Sequence, residues 1–190
     1  MYHWLLELDK KIFFFINLNN NQTFDNIFWY ISQWYTWILF YFFVVLLSIK
    51  KEKKNSIFFI SLLILGIGVA DVVSTQLFKE VFHRLRPCHT PEMTDFVHIV
   101  RGKCGGTYGF VSSHAANFFA IATFTSLEFK NYLYTTISFL IATFVIYSRI
   151  YLGVHFPADV IFGAILGSII GFSIFFLYQK LILKRFSKNI

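Results

Sequence analysis

The chain has 190 residues, of which 56% are hydrophobic, and phenylalanine alone occurs 26 times. A soluble domain of this size could not bury so much apolar surface, so the composition indicates an integral membrane protein and predicts a single domain over residues 1–190. Much of the formal net charge of +7 lies in short segments beside apolar runs. That distribution is typical of membrane orientation and argues against nucleic-acid binding.

The first predicted element is an amphipathic helix over residues 2–16. Leu5 and Ile12 represent its apolar face. Glu7 and Asn17 represent the polar face. The apolar part is too short to cross a bilayer, so we expect this helix to lie in the membrane interface. Docking on a partner protein is the alternative.

Five apolar runs are predicted to cross the membrane as helices. They cover residues 24–49, 56–78, 114–129, 132–150 and 157–183. The fold class is therefore predicted as all-α, a polytopic bundle of about five transmembrane helices plus the interfacial helix.

Small and charged residues inside the spans suggest specific packing. Gly163, Gly167 and Gly171 recur every four residues, which lets a neighbouring helix approach closely. Asp71 lies in the second span, where a carboxylate is costly. We favour a structural role near the end of that span, with serine or threonine neighbours, over a functional one.

Charge predicts the orientation of the bundle. Five spans put residues 50–55, 130–131 and the basic tail 184–188 on one side, and residues 79–113 and 149–156 on the other. When Lys79, Arg86 and Arg149 are set aside as site residues, the first side carries more basic residues and is predicted to be cytoplasmic. Residues 79–113 then form an extracytoplasmic loop that carries part of an active site.

The segment between the last two spans holds the densest chemistry. Arg149, His155 and Asp159 occur within eleven residues, although only 14% of the chain is charged. Pro157 suits the first position of a helix, which places Asp159 in its first turn and His155 just before it. A carboxylate that holds an imidazole in one tautomer makes histidine a base or a nucleophile, and arginine suits a phosphate. A polar loop with a helix cap would explain only the proline and the aspartate.

Two further segments point to an anion. Lys79 and Arg86 are seven residues apart, and they share a face if the second helix continues through both. Ser112 or Ser113 is a natural N-cap for the helix that begins near His114, and free N–H groups in such a turn can bind an anion. Snorkelling cations and an ordinary cap are the structural alternatives for each segment alone.

In order, these segments resemble the three-part signature of the type-2 phosphatidic acid phosphatase (lipid phosphate phosphatase) superfamily. The matching residues are Lys79 with Arg86-Pro87, then Ser112-Ser113-His114, then Ser148-Arg149 with His155 and Asp159. The middle part departs from the family, which usually reads Pro-Ser-Gly-His, because Val111 and Ser113 replace the proline and the glycine. Serine keeps the backbone N–H that would contact a phosphate.

The resemblance implies a metal-independent hydrolase without a cofactor. His155 would attack phosphorus and form a phosphohistidine, Asp159 would orient it, and His114 would protonate the leaving group. The resemblance assigns phosphate binding to Lys79, Arg86, Ser112, Ser113 and Arg149. Fixed cations can neutralise the phosphoryl charge in such a site.

The resemblance also implies a lipid phosphate substrate whose tail lies among the spans, in a bacterial inner membrane with the site facing the periplasm. The first expectation is undecaprenyl diphosphate. Phosphatidylglycerol phosphate, phosphatidic acid and the phosphates of lipid A stay open, and a transporter without hydrolytic activity is the alternative of another class. Membrane lipids are the expected surroundings, and the sequence predicts no oligomeric state.

Histidine and cysteine residues cluster in the long loop. They are His83, Cys88, His89, His98 and Cys104. A zinc site is one interpretation, but the two cysteines lack the usual metal-ligand spacing and basic residues surround them. In an oxidising compartment a disulfide between them is favoured. Arg84 and Arg101 either contact anionic head groups or are solvated loop charges.

Overall fold

The computed structural model describes residues 2–187 and is helical over that range, apart from loops and one isolated β-bridge between Leu85 and Tyr108. The α-helices are α1 (Tyr2–Asn17), α2 (Gln22–Ser32), α3 (Ile38–Glu52), α4 (Ser56–Val72), α5 (Glu80–Phe82), α6 (Ser113–Phe129), α7 (Tyr132–Tyr151) and α8 (Pro157–Ser187). A π-helix, Val73–Lys79, joins α4 to α5. The all-α prediction is confirmed for this range, and Lys188 of the predicted tail lies outside it.

Within residues 2–187, three stretches are long and apolar enough to cross a membrane. They are Trp34–Phe82, Tyr132–Tyr151 and Pro157–Leu183. The first has 49 residues and contains the chain reversal between α3 and α4, where Lys53 has a φ of 48° and a ψ of −111°. These stretches make the chain an integral membrane protein.

The predicted first span, residues 24–49, is wrong as one continuous helix. Helix α2 ends at Ser32, and Gln33 is extended with a ψ of 138°. The indole Nε1 of Trp37 donates a hydrogen bond of 2.8 Å to the carbonyl of Ile31, and the Ser32 hydroxyl donates one of 3.0 Å to the carbonyl of Trp29. These side chains bind carbonyl groups near the end of α2 and compete with continuation of the helix.

Helices α6 and α8 form the closest pair in the bundle. A Cβ atom added to Gly163, Gly167 or Gly171 would lie 2.1–2.6 Å from a backbone oxygen of α6. The glycines therefore allow backbone-to-backbone packing, as their spacing predicts. The same packing brings the two helix starts together, because the N–H of Ser112 donates a 3.0 Å hydrogen bond to the carbonyl of Asp159.

Helix α1 packs on the bundle through a face that the sequence did not single out. Asp9, Phe13 and Asn17 lie four residues apart and are buried. The prediction that Asn17 faces outward is wrong, because its side chain hydrogen-bonds the backbone of His98 and the carbonyl of Tyr151, each over 2.8–2.9 Å. The apolar face predicted for α1 is largely exposed, with Leu5 52% accessible, and so is free to contact lipid.

Candidate active site

Lys79 reaches the start of α6 from the end of the π-helix. Its ammonium Nζ donates a 2.9 Å hydrogen bond to the hydroxyl of Ser113. The hydroxyl of Ser74, inside the π-helix, forms a second hydrogen bond of 2.9 Å with that hydroxyl. Short π-helical segments within a helix are frequent at functional sites. They change the direction of the side chains that follow. Ser74 was not predicted from the sequence.

Arg86 also reaches the site, although the second helix does not continue through Lys79 and Arg86, which was the condition for a shared helical face. The helix ends at Phe82, and His83 adopts the left-handed conformation with a φ of 46°. Arg86 is extended, with a ψ of 158°. Its N–H donates a 3.1 Å hydrogen bond to the carbonyl of Thr107. A short antiparallel backbone contact thus carries the guanidinium to the site.

The guanidinium of Arg86 fixes the tautomer of His155. Its Nη1 donates to the carbonyl of Val154 at 2.9 Å and also lies 2.9 Å from His155 Nε2. Arginine has no acceptor, so Nε2 must accept and the ring proton of the neutral imidazole must sit on Nδ1. Nδ1 lies 3.4 Å from the Asp159 Oδ2 atom. The lone pair of Nε2 is therefore directed away from the carboxylate, toward the cations.

Burial and charge keep His155 neutral. The side chain is 2% accessible, and burial lowers its pKa well below the ordinary value, with Arg86, Arg149 and Lys79 adding to the effect. A neutral imidazole is the form that can act as a nucleophile.

The turn that presents His155 is held by its own backbone. The N–H groups of Val154 and His155 both donate to the carbonyl of Arg149 over 3.2 Å. Gly153 has a φ of 77°, and a Cβ there would lie 2.6 Å from the carbonyl oxygen of His98. Pro157 begins α8, as predicted.

Asp159 is held by a chain of charged groups. It is fully buried and accepts hydrogen bonds from the N–H of Phe156 at 3.0 Å and from Arg84 Nη1 at 2.7 Å. The other nitrogen of the Arg84 fork, Nη2, forms an ion pair with Asp9 of α1. Asp9 also accepts a 2.8 Å hydrogen bond from the N–H of Ala158.

Sequence reasoning missed this chain. Arg84 was considered only as a head-group contact or a solvated charge, and Asp9 was one of several charges on α1. The sequence feature that could have identified Asp9 is its spacing of four residues from Phe13 and eight from Asn17. This spacing puts all three residues on one helical face.

Arg149 and His114 complete the cluster. Among the described residues the buried Nε of Arg149 has no hydrogen-bond partner, which is unusual for a buried donor and fits a site for an anion. His114 lies in the first turn of α6, whose N-cap is Ser112. The two serines before His114 contact other site residues, because the Ser113 hydroxyl accepts from Lys79 over 2.9 Å and the Ser112 N–H donates to the Asp159 carbonyl over 3.0 Å. The structure thus brings the sequence-predicted site residues together at one end of the bundle.

Gly109 is a further residue that the sequence did not identify. A Cβ there would lie 3.0 Å from Asp159 Oδ2, 3.2 Å from Arg86 Cγ and 3.6 Å from His155 Nδ1. Only a glycine lets this loop pack directly behind the imidazole and its carboxylate. The signal was the glycine-rich run of residues 105–109 just before the second motif.

The long loop is closed by a disulfide between Cys88 and Cys104. Their sulfur atoms are bonded to each other and are not available as thiolate ligands, which argues against the zinc interpretation. Of the three histidines in the loop, only His89 groups with these sulfurs among the described residues. The disulfide lies next to the site. Arg86, two residues before Cys88, donates a 2.6 Å hydrogen bond from Nε to the carbonyl of Gly106, two residues after Cys104.

Comparisons with known proteins agree with this arrangement. Residues 59–183 match the model of the PAP2 superfamily. The chain is 37% identical over 176 residues to the lipid A 4'-phosphatase of Porphyromonas gingivalis, which covers 92% of this chain and 75% of that protein. It is 30% identical over 184 residues to the lipid A 4'-phosphatase of Bacteroides thetaiotaomicron, covering 95% of this chain and 81% of that protein.

Solved structures show the same architecture. The crystal structure of Aquifex aeolicus LpxE superposes with a TM-score of 0.70 at 27% identity, covering 88% of this chain and 94% of that one. A PAP2-type phosphatidylglycerolphosphate phosphatase from Bacillus subtilis superposes with a TM-score of 0.69 at 22% identity, covering 95% of this chain and 87% of that one. At that identity the second comparison supports the fold alone.

Proposed function

The chain belongs to the PAP2 superfamily of membrane lipid phosphatases, and from that premise we propose that it removes a phosphate group from lipid A. Both relatives named above are lipid A 4'-phosphatases. They support this alternative over the first expectation, undecaprenyl diphosphate, and the family assignment argues against a transporter without hydrolytic activity.

In the proposed first step, His155 Nε2 attacks phosphorus and forms a P–N bond while the P–O bond to the lipid breaks. His114 donates a proton to the leaving oxygen. Asp159 stabilises the positive charge that develops on the imidazole by accepting from Nδ1–H. Arg86 exchanges its contact with Nε2 for the phosphoryl oxygens, whose charge it shares with Lys79 and Arg149.

In the proposed second step, water attacks the phosphorus of the phosphohistidine. His114 takes the proton from that water, the P–N bond breaks, and inorganic phosphate leaves with His155 restored. The sum is one lipid phosphate ester and one water converted to one lipid alcohol and one phosphate. The N–H of Ser113 at the start of α6 is available to bind a phosphoryl oxygen, whereas the N–H of Ser112 already donates to the carbonyl of Asp159.

One observation carries this proposal, the 2.9 Å contact between Arg86 Nη1 and His155 Nε2, with Asp159 on the other side of the ring. It supports a neutral histidine whose Nε2 lone pair accepts from Arg86 and becomes available for attack when Arg86 turns its donor to the phosphoryl oxygens. If Arg86, His155 and Asp159 served only to bind a ligand, the tautomer of His155 with its proton on Nδ1 would not be required.

Replacement of His155 tests the proposal. We expect His155→Ala to lower phosphate release from lipid A by roughly 1,000-fold or more, because no other side chain replaces the nucleophile. The exposed His3 provides a matched control, and His3→Ala is expected to keep full activity. Substantial turnover by purified His155→Ala in detergent would refute the assigned role, and a panel of undecaprenyl diphosphate, phosphatidylglycerol phosphate and phosphatidic acid would identify another substrate.

We also propose that the reaction is metal-independent, because Lys79, Arg86 and Arg149 supply the positive charge that metal ions supply in other phosphoryl-transfer sites. Incubation with EDTA followed by gel filtration is expected to leave kcat unchanged. A loss that is restored by one divalent cation would contradict this assignment.

The membrane arrangement is proposed from the same geometry. The reversal at Lys53 divides Trp34–Phe82 into two spans, and α6, α7 and α8 bring the number to five around one membrane-embedded phosphatase domain of residues 1–190. Helix α1 packs at the site end and is proposed to lie in the interface. A disulfide in the loop beside the site favours an oxidising compartment, so the site is proposed to face the periplasm from a bacterial inner membrane.

A further inference from the structure

A cavity of about 480 Å³ lies beside His114, between α3, α4 and α6. Its walls are mostly apolar and aromatic, with Trp34 and Tyr41 on one side and Ser113 and His114 at the site end. Its volume is in the range of pockets that hold a small ligand or part of a larger one. The cavity therefore continues from the reaction centre into the bundle.

Two polar side chains in this cavity lack partners. Asp71 lines it as an exposed residue near the end of α4, inside an apolar stretch where a carboxylate is costly. The hydrogen bonds that Ser74 and Thr75 make there go to its backbone carbonyl, and its carboxylate has no ion pair or hydrogen bond among the described residues. Asn117 also lines the cavity, and its buried Oδ1 atom has no hydrogen-bond partner within residues 2–187.

The position of Asn117 and of the cavity places them on the side of the leaving group in the proposed reaction. Asn117 follows His114 by three residues, so both lie on the same face of α6, one turn apart. The attacking and leaving atoms are roughly in line through phosphorus. A proton donor at His114 therefore implies that the leaving alcohol occupies the His114 side, where this cavity opens.

The hydrogen-bond acceptors of Asp71 and Asn117 favour a leaving group that carries hydrogen-bond donors. A carboxylate and an amide oxygen complement hydroxyl and amide N–H donors, which an acylated amino sugar offers and a polyprenyl chain does not. We infer that this cavity binds the sugar of a glycolipid phosphate, with Asp71 and Asn117 as specificity-determining acceptors. This inference rests on the proposed function and deepens it, because the buried Oδ1 atom of Asn117, left unpaired, penalises a substrate that lacks a matching donor. The exposed carboxylate of Asp71 adds a second acceptor on the cavity wall.

The experiment compares two substrates, lipid A and the sugar-free phosphatidic acid. For each variant the measured quantity is the ratio of kcat/KM for lipid A to kcat/KM for phosphatidic acid. We expect Asp71→Ala and Asn117→Ala each to lower this ratio about tenfold or more. Asp71→Asn keeps one acceptor oxygen and is expected to give an intermediate ratio. Ser61→Ala, at an exposed position of α4, is the matched control and should keep the wild-type ratio.

The outcomes separate the two proposals. A wild type that cleaves lipid A, with Asp71→Ala and Asn117→Ala at the wild-type ratio, would overturn the inference and leave the proposed function in place. Equal losses on both substrates in folded variants would also overturn it, because a specificity role predicts unequal ones. A wild type that cleaves phosphatidic acid but not lipid A would contradict the proposed function and the sugar site together.

Discussion

The tautomer of His155, and with it the proposed nucleophile Nε2, is set by Arg86, which is distant in sequence, with Asp159 nearby four residues along the chain. Arg86 supplies the donor to Nε2 at 2.9 Å, and Asp159 lies 3.4 Å from Nδ1. Asp159 is in turn held by Arg84. Among the described residues Nδ1 has no hydrogen-bond partner, so the ring is held by Arg86 and Asp159 lies beside it as a nearby negative charge. The ring is thus placed before any substrate binds, which reduces the reorganisation that the proposed reaction requires.

At the scale of the residue, Arg84 is predicted to be a positioning residue. Arg84→Ala removes the cation between Asp9 and Asp159 and frees the carboxylate that faces His155. We expect kcat to fall roughly 10- to 100-fold with little change in KM, a range typical of side chains that orient ligands in metal sites. Arg84→Lys keeps the charge but loses the fork of donors, so partial activity is expected.

The control for this prediction is Arg101, another arginine of the same loop. It is exposed and lies over the ring of Trp29, with its guanidinium carbon 4.8 Å from the centroid. Arg101→Ala should leave kcat within about twofold of the wild type. An Arg84→Ala variant with wild-type kcat, or one whose loss appears only in KM, would contradict the positioning role.

At the scale of the element, the pair α6 and α8 sets the geometry of the site. Ser112 at the start of α6 is hydrogen-bonded to the carbonyl of Asp159 in the first turn of α8. His114 and Asp159 are therefore coupled through two helix starts. Any change that separates these helices should also separate the proposed acid from the proposed nucleophile.

Gly167→Ala tests this coupling. The added Cβ would lie 2.1 Å from the carbonyl oxygen of Ala116, so the helices must move apart. Overpacking of this kind costs about 1–3 kcal/mol, and we expect a lower melting temperature together with a lower kcat. The measurement is thermal unfolding in detergent alongside phosphate release.

Gly68 offers the matched control for this substitution. A Cβ there would meet nothing within 4 Å, and alanine is about 1 kcal/mol better than glycine inside a helix. Gly68→Ala is therefore expected to keep or raise the melting temperature. If Gly167→Ala behaves in the same way as Gly68→Ala, the close contact between α6 and α8 does not control stability.

At the scale of the whole molecule, the proposed catalytic residues lie at one end of the bundle. Helix α1, the disulfide-closed loop and the starts of α6 and α8 meet around His155. At the opposite end Lys50 and Lys51 line a separate cavity of about 530 Å³ with Asn131 and apolar residues. That cavity contains none of the proposed catalytic residues and belongs to the face predicted to be cytoplasmic.

The sequence by itself determined the class of protein and the residues that the site gathers. Apolar content required membrane helices, glycine spacing predicted that a neighbouring helix packs closely on α8, and the order of the three motifs indicated Lys79, Arg86, His114 and His155. These signals are local, since they depend on composition, on helical period and on short spacings along one segment.

Only the tertiary structure decided how those residues are held. The extended conformation of Arg86, the burial of Asn17, the ion pair from Asp9 through Arg84 to Asp159 and the fit of Gly109 all join segments that are far apart in the chain. A sequence pattern reports which face of a helix is apolar, but it does not report which distant segment packs against that face. Long-range packing chose these partners, because each buried charge had to find an opposite charge or a hydrogen bond within the bundle.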